Sequence, residues 1–178
     1  MTNYPRCQII AEAGVNHNGN LSEAHKLIDI AKRAGADFVK FQSFHSNELV
    51  SNEASQAKYQ KIPGKNQSQL EMLKELEIAE EDFKELFLHC EEVGIKFLST
   101  PFDIAHTNNL ISLGMEIIKV PSGELTNYPF IKELSKLDLP MIISTGMATI
   151  SEIEETIEWI RAERIRNYLN PNLNNLIT

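Results

Sequence analysis

A set of polar and charged side chains stands at the ends of short apolar runs, where it could bind and transform a small anionic molecule. Glu12 nearly closes the run QIIAEA, and Lys40 and Gln42 lie within FVKFQ. Ser99 and Thr100 follow KFL, Lys119 interrupts IIKV with Ser122 and Glu124 just behind it, and Ser144 and Thr145 end MIIST. An unpaired ammonium inside an apolar strand is costly, so Lys119 needs an anionic partner or an opening at the strand end. Lysine offers a point charge, and Ser and Thr offer hydroxyl donors. Together they suit phosphate and carboxylate. Glu12 and Glu124 are acceptors fit for sugar hydroxyls or for proton transfer.

Each of these residues also has a purely structural reading. Lys40 and Lys119 could pair with Glu12 or Glu124 as an ion network. Ser99, Thr100, Ser144 and Thr145 could cap helices, and Gln42 could satisfy loop backbone. The histidines His17, His25, His45, His89 and His106 show no metal-binding spacing such as H-E-x-x-H,. His25, His89 and His106 fall on expected helices and read as surface or helix-packing residues. His17, in the turn after the first strand, is the functional candidate among them by position.

The elements that must position these groups alternate between strand and helix. Gln8–Ala13 reads as the first strand, Gly14–Gly19 as a turn, and Asn20 with Glu23 as a capping box,. Leu21–Ala34 is an amphipathic helix with Leu27, Ile28, Ala31 and Ala34 on one face, stopped by Gly35,. Phe38–Gln42, Lys96–Ser99, Ile117–Val120 and Met141–Ser144 are further strands, and Glu80–Val93 a further helix,. Asp103 caps a short helix ending at Gly114, Tyr128–Leu137 is another, and Thr149 with Glu152 opens one running to Arg164,. The polar segment Ser43–Ala79, with Pro63-Gly64, is too long for a simple connection and suits a functional or mobile insertion,. A helical turn or two is expected within it at Gln69–Leu76.

About five strand–helix units therefore repeat at roughly 30-residue spacing, which implies parallel strands and right-handed crossovers. An open doubly wound sheet and a (β/α)8 barrel both fit. A closed barrel needs eight units and typically about 250 residues, more than this chain has. No G-x-G-x-x-G follows the first strand, which argues against a dinucleotide site. In either fold the strand C-termini converge on a ligand-binding face.

The chain has 178 residues and a net charge of -8, which disfavours nucleic acid and anionic membranes as partners,. Cys7 and Cys90 have neither metal-ligand nor disulfide-framework spacing and read as small apolar residues in a reducing compartment,. No apolar run approaches the roughly 18 residues of a membrane span. A cytoplasmic location is expected.

Five stretches taken together carry a resemblance. IIAEAGVNHNG, FVKFQSF, FLSTPFD, KVPSGELTNYP and PMIISTGMATISEIE, in this order, resemble the sialic acid synthase family, which includes N-acetylneuraminate, legionaminate and pseudaminate synthases. The resemblance implies an incomplete TIM (β/α)8-type barrel over residues 1–164, a poorly structured or divergent tail over 165–178, and no antifreeze-like domain. It implies a transferase that condenses phosphoenolpyruvate with an N-acetylated hexosamine, giving a nonulosonic acid and phosphate. Lys40, Thr100, Lys119, Ser122 and Ser144 would hold phosphoenolpyruvate, Glu12 and Gln42 the amino sugar, and Glu124 a proton, with Lys119 also catalytic. The family uses Mn2+ or Mg2+, whose histidine ligands fall beyond this chain, so no metal ligand is expected in it. A homodimer is implied, along with a truncated chain that a C-terminal polypeptide could complement. Two readings compete: another phosphoenolpyruvate–aldose condensing enzyme, and an inactive ligand-binding or subunit-pairing module. The segment YQKIPGKNQSQLEMLKELEI looks closer to legionaminate-type synthases than to N-acetylneuraminate enzymes.

Overall fold

The computed structural model describes residues 7–51, 54, 56, 67–169, 171 and 176–177. Two compact units divide between Leu98 and Ser99. In the first, β1 (Ile10–Gly14) and β2 (Phe38–Ser43) pair in parallel, and β3 (Lys96–Pro101) follows in the order β1-β2-β3. β1 starts two residues later than the apolar run suggests and continues into Gly14. β3 continues through Thr100, which therefore belongs to a strand rather than to its exit.

α1 (Leu21–Arg33) starts at Asn20, whose side chain accepts the Glu23 N–H at 3.2 Å. Glu23 does not complete a capping box; its carboxylate turns to the Lys26 ammonium at 2.7 Å. The face that α1 buries is Ala24, Ile28 and Ala31, while Ala34 is exposed. Burying Ile28 contributes about 1.5–3 kcal/mol. α4 (Asp82–Val93) buries Phe83, Leu86 and Cys90. It lies against α1, where the His89 Nε2–Asp29 Oδ1 contact is 2.9 Å and the His25 and His89 ring centroids are 4.5 Å apart. Both histidines serve helix packing. Burial pushes the Cys90 thiol up to about 12, with help from Glu91. Cys7, expected inside, is exposed.

The insertion after β2 holds α2 (Ser46–Leu49) and α3 (Gln69–Leu76), the latter opened by a full Ser68/Glu71 capping box. Pro63 and Gly64 lie outside the described residues. Glu77 ties the two ends of the insertion together: it accepts the Ser46 N–H at 2.9 Å and the Ser46 hydroxyl, with His45 Nδ1 at 3.3 Å. Burial alone would raise the Glu77 pKa, but the Ser46 donors and His45 hold it below the ordinary value,.

In the second unit, β4 (Ile118–Val120), β5 (Met141–Ile143) and β6 (Leu176–Ile177) lie in parallel in that order. β6 falls in the tail expected to lack structure: Leu176 and Ile177 register with Met141 and Ile142. An open hydrogen-bonding edge on β5 recruits it, and sequence periodicity carries no trace of that. α5 (Ile104–Leu113) is capped by Asp103, which accepts the His106 N–H at 2.7 Å. α6 (Tyr128–Ser135) ends sooner than the pattern suggests, and α7 (Ile150–Arg166) runs two residues further. The Thr149/Glu152 capping box is complete. Ile118, Val120, Leu125, Ile131, Leu134, Met141, Ile143 and Ile160 form the core. Thr156, buried on α7, donates to the Leu125 carbonyl at 2.9 Å and so joins the helix to the loop after β4. No helix among the described residues is long and apolar enough to cross a membrane.

The β1–α1 turn encloses His17, which is 1% exposed. Its Nδ1 accepts the Gly19 N–H at 3.1 Å, and its ring centroid is 6.1 Å from that of Phe41. Burial lowers its pKa, with the Gly14 backbone pulling the other way.

Two expectations follow from this packing. Thr156→Val keeps the shape but leaves the Leu125 carbonyl without its donor, at a cost of about 1–3 kcal/mol; an unchanged urea midpoint would refute the link. His17 takes up a proton less readily folded than unfolded, so its contribution to stability is complete above the unfolded pKa of about 6.5. That contribution is lost as pH falls through the lowered folded value. His17→Gln should flatten the acid limb of the stability–pH curve, and an identical limb would rule out this source.

Candidate functional site

Polar side chains collect at the C-terminal ends of the strands, and each unit holds its own set. In the first, parallel register places Glu12 of β1 opposite Lys40 of β2. Their ion pair is 2.6 Å, with the Lys40 side chain 12% exposed and that of Glu12 50%. Lys40 is thus paired with a carboxylate, one of the two partners the sequence offered it. That pairing also presents a fixed cation and an acceptor side by side. Gln42 follows two residues along β2 on the same face and is half-buried,.

The end of β1 is shaped by a bulge. Glu12 pairs with Lys40 but Gly14 pairs with Phe41, so one residue of β1 is left out of register,. Ala13, at that position, turns its carbonyl to the Asn16 N–H at 3.0 Å and the Asn16 side-chain amide at 2.9 Å.

In the second unit Lys119 of β4 registers with Ile142 of β5, and Ser144 follows two residues on along the same face,. The Lys119 ammonium donates to Ser144 Oγ at 2.6 Å and to the Val120 carbonyl at 2.7 Å. The awkward charge inside the apolar run thus bends toward the strand end, where neutral oxygens hold it. Pro121 is extended, and Ser122–Glu124 form a single 3-10 turn that brings Ser122 close to Gly146. A Cβ on Gly146 would stand 3.4 Å from Ser122 Oγ and 3.7 Å from Ser122 Cβ, so the glycine lies against that side chain. Thr100 is buried near the end of β3.

Glu124 lies in the 3-10 turn after β4. Its Oε2 accepts the side-chain amide of Asn127 at 2.6 Å, and Asn127 in turn caps α6 through the Phe130 N–H at 3.3 Å. Asn127 is a positioning residue that motif reading missed; its signal was Asn two residues ahead of Pro129 at a helix start. None of Ser99, Thr100, Ser144 or Thr145 caps a helix. That work falls to Asp103, Asn127 and Thr149. His17 is enclosed by its turn, and His106 Nδ1 lies within hydrogen-bond distance of Asp103 Oδ2, at 2.6 Å. Among the described residues no group of three or more His, Cys, Asp or Glu side chains is disposed to hold a metal ion.

Comparison with known proteins places this arrangement. A model described as the NeuB family matches residues 27–170. The chain is 52% identical over 150 residues to N,N'-diacetyllegionaminic acid synthase of Campylobacter jejuni, covering 84% of this chain and 45% of that protein. It is 47% identical over 156 residues to the Legionella pneumophila protein of the same name, covering 87% and 44%. Among solved structures it superimposes on N-acetylneuraminic acid (sialic acid) synthetase of Leptospira borgpetersenii with a TM-score of 0.77 and 30% identity, covering 92% of this chain and 55% of that one. The chain thus spans less than half the length of the two curated relatives, and its fold is the α/β parallel-strand type of an incomplete (β/α)8 barrel. With the family model matched over most of its length, the chain belongs to the NeuB family.

Proposed function

We propose that the chain is the phosphoenolpyruvate-binding part of a synthase that joins phosphoenolpyruvate to an N-acetylated hexosamine, giving a nonulosonic acid and phosphate. The observation that carries this reading is the Lys119–Ser144 contact at 2.6 Å on neighbouring strand ends, in the unit that also holds Ser122 just after β4. A cation with hydroxyl donors at a strand end suits an anion. Lys119, Ser122 and Ser144, with Lys40 and Thr100, bind the phosphate and carboxylate. Glu12 and Gln42 hold the amino sugar. The names of the Campylobacter and Legionella relatives favour a diacetylated sugar of the legionaminic acid type.

The chemistry asked of these groups is chiefly electrostatic. C3 of the enolpyruvate attacks the aldehyde carbon of the open-chain sugar, and the aldehyde oxygen gains a proton. Water adds to C2 and gives up a proton, and the tetrahedral intermediate breaks its C2–O bond to release phosphate. Fixed lysine charges stabilise the anionic phosphate throughout. Glu124, oriented by Asn127, carries the proton lost by water,. The family's Mn2+ or Mg2+ finds no donor set among the described residues, so no step here is routed through a metal.

The deciding measurement is phosphate release from phosphoenolpyruvate with N-acetylmannosamine or a diacetamido hexose, with and without Mn2+. It should be made on the chain alone and with a polypeptide supplying the remaining length of a relative. Turnover only in the supplemented reaction supports a synthase part; phosphoenolpyruvate binding without turnover in either favours a ligand-binding module. Lys119→Met should weaken phosphoenolpyruvate binding about 10- to 100-fold, and unchanged binding by calorimetry would refute its role. Glu124→Gln should abolish turnover while leaving that affinity intact.

A further inference from the structure

The Glu12 carboxylate is held from two sides. Its Oε2 meets the Lys40 ammonium at 2.6 Å. Its Oε1 lies over Gly14, where an added Cβ would stand only 3.1 Å away. Gly14 reaches that position because the bulge moves it from the Gln42 register to that of Phe41, with a φ of +55°. Asn16 fixes the bulge by taking up the Ala13 carbonyl with both its main-chain and side-chain N–H groups. A contact of 3.1 Å requires the carboxylate to give way by some tenths of an ångström, and Lys40 opposes that movement. Both the bulge and the missing side chain therefore act on one group.

We infer that Gly14 is a positioning residue for Glu12. By having no Cβ it lets the carboxylate lie flat against β1, at the one place where it can face Lys40 and a ligand together. This rests on the reading of Glu12 as an amino-sugar acceptor and deepens it: the absent side chain at position 14 sets where that acceptor stands. The competing view is that Gly14 only supplies a left-handed backbone. Gly35 separates the two, because it also has a positive φ, +82°, yet an added Cβ there would meet nothing within 4 Å.

The test compares Gly14→Ala with Gly35→Ala in the 178-residue chain, following the Glu12 side-chain carboxyl carbon by NMR. Lys40→Met supplies the reference resonance for a broken pair. Gly14→Ala should move the Glu12 signal at least halfway to that reference, and Gly35→Ala should leave it at the wild-type position with a comparable loss of stability. Asn16→Ala, which keeps glycine and loosens the bulge, should move it in the same direction by less. A Glu12 signal unmoved in Gly14→Ala, or moved equally in Gly35→Ala, overturns the inference. Where amino-sugar binding is measurable, Gly14→Ala should weaken it about fivefold. If Glu12→Gln leaves sugar binding unchanged, the role given to Glu12 fails, while the resonance comparison still decides the role of Gly14.

Discussion

A lysine inside an apolar strand must take its charge to an oxygen or to water, because leaving it unpaired in the core is prohibitive. Two strands of this chain carry such a lysine, and local structure is arranged around each. Lys40 meets the Glu12 carboxylate across the β1–β2 ladder, and Lys119 meets Ser144 and the Val120 carbonyl across β4 and β5. Parallel pairing makes both contacts possible. In register, residues on one face of adjacent strands stand side by side, so a lysine on one strand finds its partner on the next.

The two lysines are held differently, and the difference bears on chemistry. Lys40 faces a full negative charge, which keeps cation and acceptor together as a pair. Lys119 donates to the Ser144 hydroxyl and to the Val120 carbonyl. Glycine shapes both surroundings. Gly14 leaves room for the Glu12 carboxylate, and Gly146 lets Ser122 come close to its backbone. The functional groups thus depend on neighbours that contribute no side chain at all.

The remaining architecture fixes these ends in place. Glu77 draws the close of the insertion back to Ser46 just after β2, and Thr156 anchors α7 to the loop that follows β4. Both are single buried or half-buried hydrogen-bonding groups acting over about thirty residues of chain, where lost partners cost most. Asn127 does the same at short range for Glu124.

Some contacts within four residues were legible in the order of amino acids, although the Asn20/Glu23 box formed only its Asn20 half and the Asn127 cap went unread. The Thr149/Glu152 box and the Asp103 cap are local hydrogen bonds and formed as read. The strand-end groups Glu12, Lys40, Thr100, Lys119 and Ser144 stood out because polar residues interrupt apolar runs, and five motifs in order carried the family likeness. Partner choice was not legible. Glu12 and Lys40 are 28 residues apart and Lys119 and Ser144 are 25 apart, so only strand register brings them together. The bulge at Ala13, the enclosure of His17 and the recruitment of Leu176–Ile177 to β5 likewise follow from ladder hydrogen bonds and packing. Side-chain type declares what a residue can do; its neighbours, set by backbone pairing across distant segments, decide which of those things it does.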